Sequence, residues 1–399
     1  MKKPSPQRLW FYVTRRLGLG SFLDSPGDGR KYPQIPAKTL LWALLLGQLF
    51  RECSFYGIES LVRLSGCRAL LVNRTFSDDT LGYFTERLDA SRCREALAGV
   101  VGRAKRNKAF AKCAFIGLAV DGSTGCRRQQ ERKSCWCRSW KNKKEEVVGY
   151  RHHLVLLSVV GTGLSLPVDV EPYGPEDSEY DAGQRVLRRA VGQLGRRFAD
   201  YVVVDGGFAT APFLHTAGEL GLSTVARLKG NLPELYAEAQ RRFPSASPHV
   251  RFDYGDDHVE LWDAEDFDPW TALHWQTVRV IFYRQKKRNG TVVEAYWLTN
   301  FSIQEVSSQA LFGMAKSRWE IENQGFNEAK TFHGLEHLCH HHPNSMLVVW
   351  LLTALAMTID RLYRLRYLHR GPHSILAPLD LVRLLRASLS LLQLEIDSS

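Results

Sequence analysis

In the first quarter of the chain the apolar positions repeat with a helical period. Leu40, Leu41, Leu44, Leu45 and Leu49 recur three and four residues apart, which predicts a buried helix. Ser77-Asp78-Asp79-Thr80 precedes Leu81, Phe84 and Leu88. Short oxygen-bearing side chains ahead of a periodic apolar stretch mark a helix start, because they accept from the first unpaired backbone N–H groups. Residues 38–110 therefore read as a set of helices. Near residue 113 the pattern changes to short continuous apolar runs. Residues 114–120 form a strand ending on the turn residues Asp121-Gly122-Ser123. Residues 153–160 and 166–170, joined by Gly161-Thr162-Gly163, form a hairpin. Ala182, Val186, Leu187, Val191 and Leu194 set a helix over 178–197. Tyr201–Val204 is a strand ending on Asp205-Gly206-Gly207, followed by a helix at 211–220 and a strand at Ser223–Leu228. The order β–ββ–α–β–α–β predicts an α/β sheet. Asp121 and Asp205 both fall at the C-terminal ends of apolar strands, the edge where open α/β sheets carry their chemistry.

Residues 231–300 break the alternation. β-like runs at 250–254, 258–262, 277–284 and 291–299 surround Lys287-Arg288-Asn289-Gly290, whose Asn-Gly pair is a strong hairpin signal. This stretch reads as a β-rich insertion. Residues 307–331 return to a helical period, with Ala310, Met314, Ile321 and Phe326 on apolar positions, and 345–395 are mostly helical. The longest apolar stretches, 40–50 and 346–359, fall short of the roughly 20 residues of a membrane span and read as core helices. The start Met1-Lys2-Lys3 is not followed by the apolar run of a signal peptide. No internal repeat or low-complexity tract is evident.

Composition narrows the class without changing this picture. At 399 residues, 44% hydrophobic and 24% charged, the chain is globular, with two or three domains, which excludes disordered, collagen-like and coiled-coil classes. The net charge of +11 is unevenly distributed: residues 1–144 hold 28 Lys/Arg against 11 Asp/Glu, and residues 145–399 hold 25 against 31. A basic first third suits a polyanion. Eight cysteines make no disulfide framework, and a reducing, cytoplasmic setting is expected. Cys126 and Cys135-Trp136-Cys137 depart from the C-x2-C spacing of common zinc sites, so free thiols are expected there. The adjacent His340, His341 and His342 point in different directions on a helix and make a poor chelate.

Two strand-end aspartates and one helical glutamate suffice for phosphoryl transfer. Two divalent ions need few protein ligands, because water and phosphate oxygens complete their shells. A single strand-end Asp is as easily a turn former; the joint pattern is what carries information. Asp121 after a strand, Asp205-Gly206-Gly207-Phe208 after a strand, and Arg318-Trp319-Glu320-Ile321-Glu322 on a helix resemble the D, D and E motifs of bacterial insertion-sequence DDE transposases. The likeness is to the cut-and-paste branch whose RNase H-like catalytic domain carries a β-rich insertion before the glutamate. It extends over roughly residues 70–360, and Arg227-Leu228-Lys229 resembles the family's R-L-K segment.

The resemblance implies a fold and a set of roles. The fold is an RNase H-like mixed sheet with helices on both faces. Its parts are a basic helical DNA-binding domain at 1–110, the first part of the catalytic core at 111–230, the insertion at 231–302, the Glu-bearing helix at 303–345 and a helical region at 346–399. Asp121, Asp205 and Glu322 match the metal-binding triad, with Mg²⁺ or Mn²⁺ as two ions, and Glu320 is the rival of Glu322. Arg318, four residues before Glu322 and so on its helix face, matches the Arg of the Y-R-E-K signature and is implied to contact phosphate. The Tyr position is Ala315 and the Lys position is Ala329, with Lys330 one step later. One step turns an α-helix by about 100°, so Lys330 must reach with its long stem. Arg227, Lys229, Arg127, Arg128 and Lys133 are further expected DNA contacts. Trp297 either stacks on a base extruded from the DNA or is a core residue of a strand. The implied activity is cleavage of the element's ends and joining to target DNA, by a dimer that pairs two ends and associates with the nucleoid. The alternatives are an inactive DNA-binding relative, an RNase H-like nuclease that never joins strands, and a helical regulator with the α/β part as scaffold.

Overall fold

The computed structural model describes residues 4–64, 67, 75–128, 131, 136–337, 339–370, 373–374 and 376–396. Its centre is one ten-stranded sheet: β1 (Gly117–Arg128), β2 (Cys137–Lys141), β3 (Val147–Val160), β4 (Leu166–Tyr173), β5 (Tyr201–Val204), β6 (Ser223–Leu228), β7 (Val250–Tyr254), β8 (Asp257–Phe267), β9 (Val278–Lys286) and β10 (Val292–Thr299). β3 pairs with β1 along one edge and with β4 and β2 along the other, all antiparallel. β5 and β6 then follow, parallel to β1. Three antiparallel strands and two parallel to the first, in the order β4-β3-β1-β5-β6, are the RNase H-like arrangement. Leu118, Ala119, Val120 and all four residues of β5 are buried. Strands flanked on both edges and covered on both faces read as continuous apolar runs, which is why they were visible in the sequence.

β1 does not end at Asp121, as the sequence suggested. It runs on to Arg128 because β3 continues to pair with it, Asp121 opposite Leu156 and Thr124 opposite His153. Gly122-Ser123-Thr124-Gly125 looks like a turn locally, but a long antiparallel partner holds it extended. The insertion also differs from its expected form. Its strands make a meander, β7-β8-β9-β10, whose last strand pairs antiparallel with β6, Thr299 opposite Val225 and Tyr296 opposite Leu228. This segment thus lengthens the central sheet. It is preceded by a helix, Pro233–Arg242, that the β-rich reading of 231–300 missed. The apolar residues of that helix, Leu235, Tyr236 and Ala239, with Leu232 and Phe243 at its ends, do recur at helical spacing. Beneath the meander the fully buried Asp263 and Arg279 form a two-pronged ion pair (2.9 and 2.6 Å). Arg279 also donates to the carbonyls of Ser302 and Val306 at 2.8 Å each, just before helix Ser308–Glu320.

The helices of the two chain ends pack together. Helix Pro343–Tyr367 is long and apolar enough to cross a membrane by length and composition, yet nearly all of it lies inside the fold. It extends the apolar stretch expected at 346–359 at both ends. It packs on β4 and on helices Ala37–Leu49, Asp78–Arg87 and Ala90–Arg106. Buried polar bonds fix its register: Thr353 donates to Gln48 (2.8 Å), and Asn344 to the carbonyls of Thr85 (2.9 Å) and Leu88 (2.8 Å). On the other face Asp169 of β4 accepts from Arg94 (3.0 Å) and Arg189 (2.6 Å), tying helices Ala90–Arg106 and Glu179–Leu194 to the sheet.

Candidate active site

The parallel register of β1 and β5 pairs Gly117 with Tyr201 and Val120 with Val204. One further step sets Asp121 beside Asp205. Positions in register on neighbouring strands point to the same side of a sheet, and the strands are about 4.8 Å apart, so the two carboxyls share one face. Asp205 ends β5 because Gly206–Phe208 turns as a short 3-10 segment, which opens its side chain to solvent (38% exposed). Lys229, just past β6, donates to both of its oxygens at 2.8 and 2.9 Å. Burial alone would raise the Asp205 carboxyl, but the Lys229 bond, the Gly206 N–H and the charges of Lys229 and Arg318 hold it below the usual carboxylate range. Asp121 goes the other way and is pushed up to about 6. Burial is the main cause, opposed by Arg318 and the Gly122 N–H, with the negative charges of Glu179 and Asp205 adding to the rise.

Helix Ser308–Glu320 brings the third carboxylate. Arg318 is buried and donates to Asp121 (3.3 Å) and Glu322 (3.2 Å), so one guanidinium bridges two of the three expected residues. Glu322 remains half exposed (45%). The rival Glu320 faces away: it accepts from the Gly161 N–H in the β3–β4 turn (3.0 Å), and burial pushes it up to about 7. The Arg318 guanidinium, expected to contact phosphate, lies here between the two carboxylates.

The helix after Glu320 is not α-helical. Ile321–Asn327 is a π segment, continued by an α-turn, Glu328–Phe332. Arg361 holds it by donating to the Gln324 carbonyl and to Glu328 (2.7 Å), and Gln324 accepts from the Ser165 N–H (3.0 Å). A π-turn with i→i+5 bonds takes one more residue than an α-turn. That extra residue sets back by about 100° everything beyond it. Lys330, eight residues after Glu322, therefore returns to the phase of a residue seven after it in an uninterrupted helix. It lies 3.5 Å from Glu336.

Glu179 was not foreseen. It opens helix Glu179–Leu194, accepts from the Tyr173 hydroxyl (3.1 Å) and fills the space beside Gly122 where a Cβ would stand 2.3 Å from its carboxyl carbon. Burial raises its carboxyl, with Asp205 adding to the rise. An acid in the first turn of a helix ordinarily complements the helix dipole, so nothing local marks it. Gly122 admits it to the Asp121 side of the sheet.

The other expected DNA contacts are dispersed. Of the two readings of Trp297, the structure has the core one: it is 2% exposed within β10, with the Arg227 guanidinium 5.6 Å from its ring centre. The indole open at this site is Trp319 (43% exposed), with the Arg318 guanidinium 4.4 Å from its ring centre. Arg227 is half-buried and donates to the Glu294 carbonyl (3.2 Å). Arg127 and Arg128 end β1, with side chains outside the described residues, and Lys133 lies wholly outside them. Cys126 and Cys135 lie outside the description in the same way.

Among the described residues no three acidic, His or Cys side chains stand close enough to enclose an ion unaided. Two cations, Arg318 and Lys229, are interleaved with the carboxylates instead. The donor chemistry fits hard divalent cations: the donors are all oxygen. The crowding of Glu179 and Asp205 on Asp121 is negative charge that such a cation relieves. A family model, Transposase DDE domain, matches residues 115–359. Among solved structures, the cryo-EM structure of the piggyBac transposase synaptic complex with hairpin DNA is similar over 97% of this chain and 80% of that chain, at 12% identity and a TM-score of 0.45. No curated protein matches the sequence.

Proposed function

Because the chain belongs to the family of the transposase DDE domain, we propose that it cleaves the ends of its own element and joins them to target DNA, with Asp121, Asp205 and Glu322 as catalytic carboxylates. The observation that carries this reading is the Arg318 bridge between Asp121 and Glu322 (3.3 and 3.2 Å) beside an in-register Asp205. Two Mg²⁺ or Mn²⁺ ions held by these three residues would activate the attacking oxygen and stabilise the leaving one. The chain's own groups do the orienting. The Gly122 N–H (3.0 Å) and Arg318 fix Asp121, and Lys229 fixes Asp205. Lys229, on Asp205, is a positive group for the DNA strand, Lys330 further along the helix is a second, and a dimer pairing two ends is the expected assembly.

The choice of glutamate has its own test. Glu322→Gln is expected to lower metal-dependent cleavage of DNA carrying the terminal repeats by about a hundredfold or more, the scale of losing one positioned charge at a reacting centre. Glu320→Gln, which keeps a side-chain acceptor for the Gly161 N–H, is expected to stay within about threefold of wild type. Reversed effects would exchange the roles. Ion binding is read separately from turnover by thermal unfolding. Mn²⁺ at about a hundred times its dissociation constant stabilises the folded state by about 2.7 kcal/mol. A rise in melting temperature is expected for wild type and a much smaller one for Asp121→Asn. Equal rises in both would remove Asp121 from the ligand set. Strand joining by the same preparation separates the transposase reading from a nuclease that only cuts.

A further inference from the structure

A second concentration of charge lies at the other end of the sheet. A cleft of about 1020 Å³ is bounded by the turn after β3 (Thr162, Gly163, Leu164), by the residues leading into β1, and by the ends of three helical segments, Tyr12–Arg16, Ala90–Arg106 and Pro343–Tyr367. Its cationic lining is Arg15, Arg16, Arg103, Arg106, Lys108, Lys112 and Arg366, and no Asp or Glu lines it. Among the described residues none of these seven is paired with a carboxylate. That contrasts with cations elsewhere on the surface, such as Arg185, Arg251 and Arg284, each held by an acidic neighbour.

Helix dipoles do not explain the excess. Each helix C-terminus carries roughly half a negative charge, so three of them offset only about one and a half of seven positive charges. The remainder repel one another, and a polyanion relieves that repulsion. The side chains rise from separate segments around an apolar floor of Tyr12, Leu17, Leu362 and Leu365. A small anion is gripped by a few convergent donors; charges spread around an open cleft match a chain of regularly spaced phosphates with sugars against the floor. Asp121 lies four steps along β1 from Gly117, at this end, about 13 Å at the rise of a strand. A phosphate in the cleft is therefore a different one from a phosphate at the carboxylates.

We propose that this cleft is a second DNA-backbone site, holding a stretch of duplex other than the one being cut. The proposal rests on the transposase reading above. Its test is the salt dependence of binding by the full-length protein, with metal chelated, to a duplex bearing a terminal repeat and long enough to pass beyond the cleavage point. Removing the charges in an Arg15→Ala, Arg106→Ala, Lys112→Ala triple variant is expected to lower the slope of log affinity against log salt by about 0.9 per lost phosphate contact, up to about 2.7 for three. These side chains are exposed, so the melting temperature is expected to stay at the wild-type value. Arg251→Ala, Arg284→Ala, Arg288→Ala, the same loss of charge on the insertion, is expected to leave the slope near wild type. An unchanged slope in the cleft variant would overturn the proposal. So would an equal fall in the insertion variant, or binding of inorganic tripolyphosphate in the cleft with DNA affinity untouched. Asp205→Ala separates the two readings: it is expected to keep the wild-type slope and lose cleavage. If it cuts like wild type, the catalytic reading fails while the cleft result stands.

Discussion

Asp205→Ala is expected to reduce divalent-metal-dependent cleavage of terminal-repeat DNA by about a thousandfold or more. Asp205 is more open than Asp121, and its carboxyl is held low by Lys229 rather than pushed up like its neighbour. Removing it takes away one ligand and leaves the Lys229 ammonium unpaired against the site. A loss of about 4 kcal/mol of transition-state charge stabilisation corresponds to that factor of a thousand. The measurement is single-turnover cleavage over a metal titration, with DNA affinity read in parallel. Loss of cutting with retained binding is the expected pair of results. Cleavage within a few-fold of wild type would remove Asp205 from the mechanism.

Arg279→Ala is expected to be the most destabilising single substitution in the insertion. Its partner Asp263 has a fully buried side chain, so truncation strands an ionised carboxylate and also leaves the carbonyls of Ser302 and Val306 without their donor. Breaking one half of such a pair costs about 3–5 kcal/mol, against little or no loss when both halves are replaced by apolar residues of similar size. At about 2–4 °C per kcal/mol for large domains, the melting temperature should fall by roughly 10 °C. An Asp263→Leu, Arg279→Met double variant should recover most of it. A double variant no more stable than Arg279→Ala would mean that the carbonyl bonds, not the stranded charge, dominate. Because those carbonyls precede helix Ser308–Glu320, cleavage should fall in the single variant below its melting temperature as well.

What could be read from the sequence follows from how local each determinant is. β5 and Asp205 were legible, because a four-residue apolar strand followed by Gly-Gly carries its own start and stop. The end of β1 was read too early, at Asp121. Gly122-Ser123-Thr124-Gly125 resembles a turn, and only the pairing with β3, more than 25 residues away in sequence, keeps it in a strand. Glu179 depends on the absence of a side chain at Gly122, a relation between two elements that no spacing records. Trp297 and Trp319 are both aromatic residues flanked by mixed sequence, and burial separates them only after β10 is placed between β6 and β9. The basic excess of residues 1–144 was visible as a sum. The sequence did not show that six of its charges meet around one cleft with Arg366 from the far end of the chain.

The π segment Ile321–Asn327 bears on how such proteins are recognised. A motif written as fixed gaps between letters scores this chain as lacking the last basic residue of its signature, since Ala329 occupies the expected column. The fold does not keep residue columns. A helix that widens by one residue accommodates an insertion there, and the side chains beyond it stay in step with those before it. Deleting one residue from this segment should convert it to ordinary α-helix rather than break it.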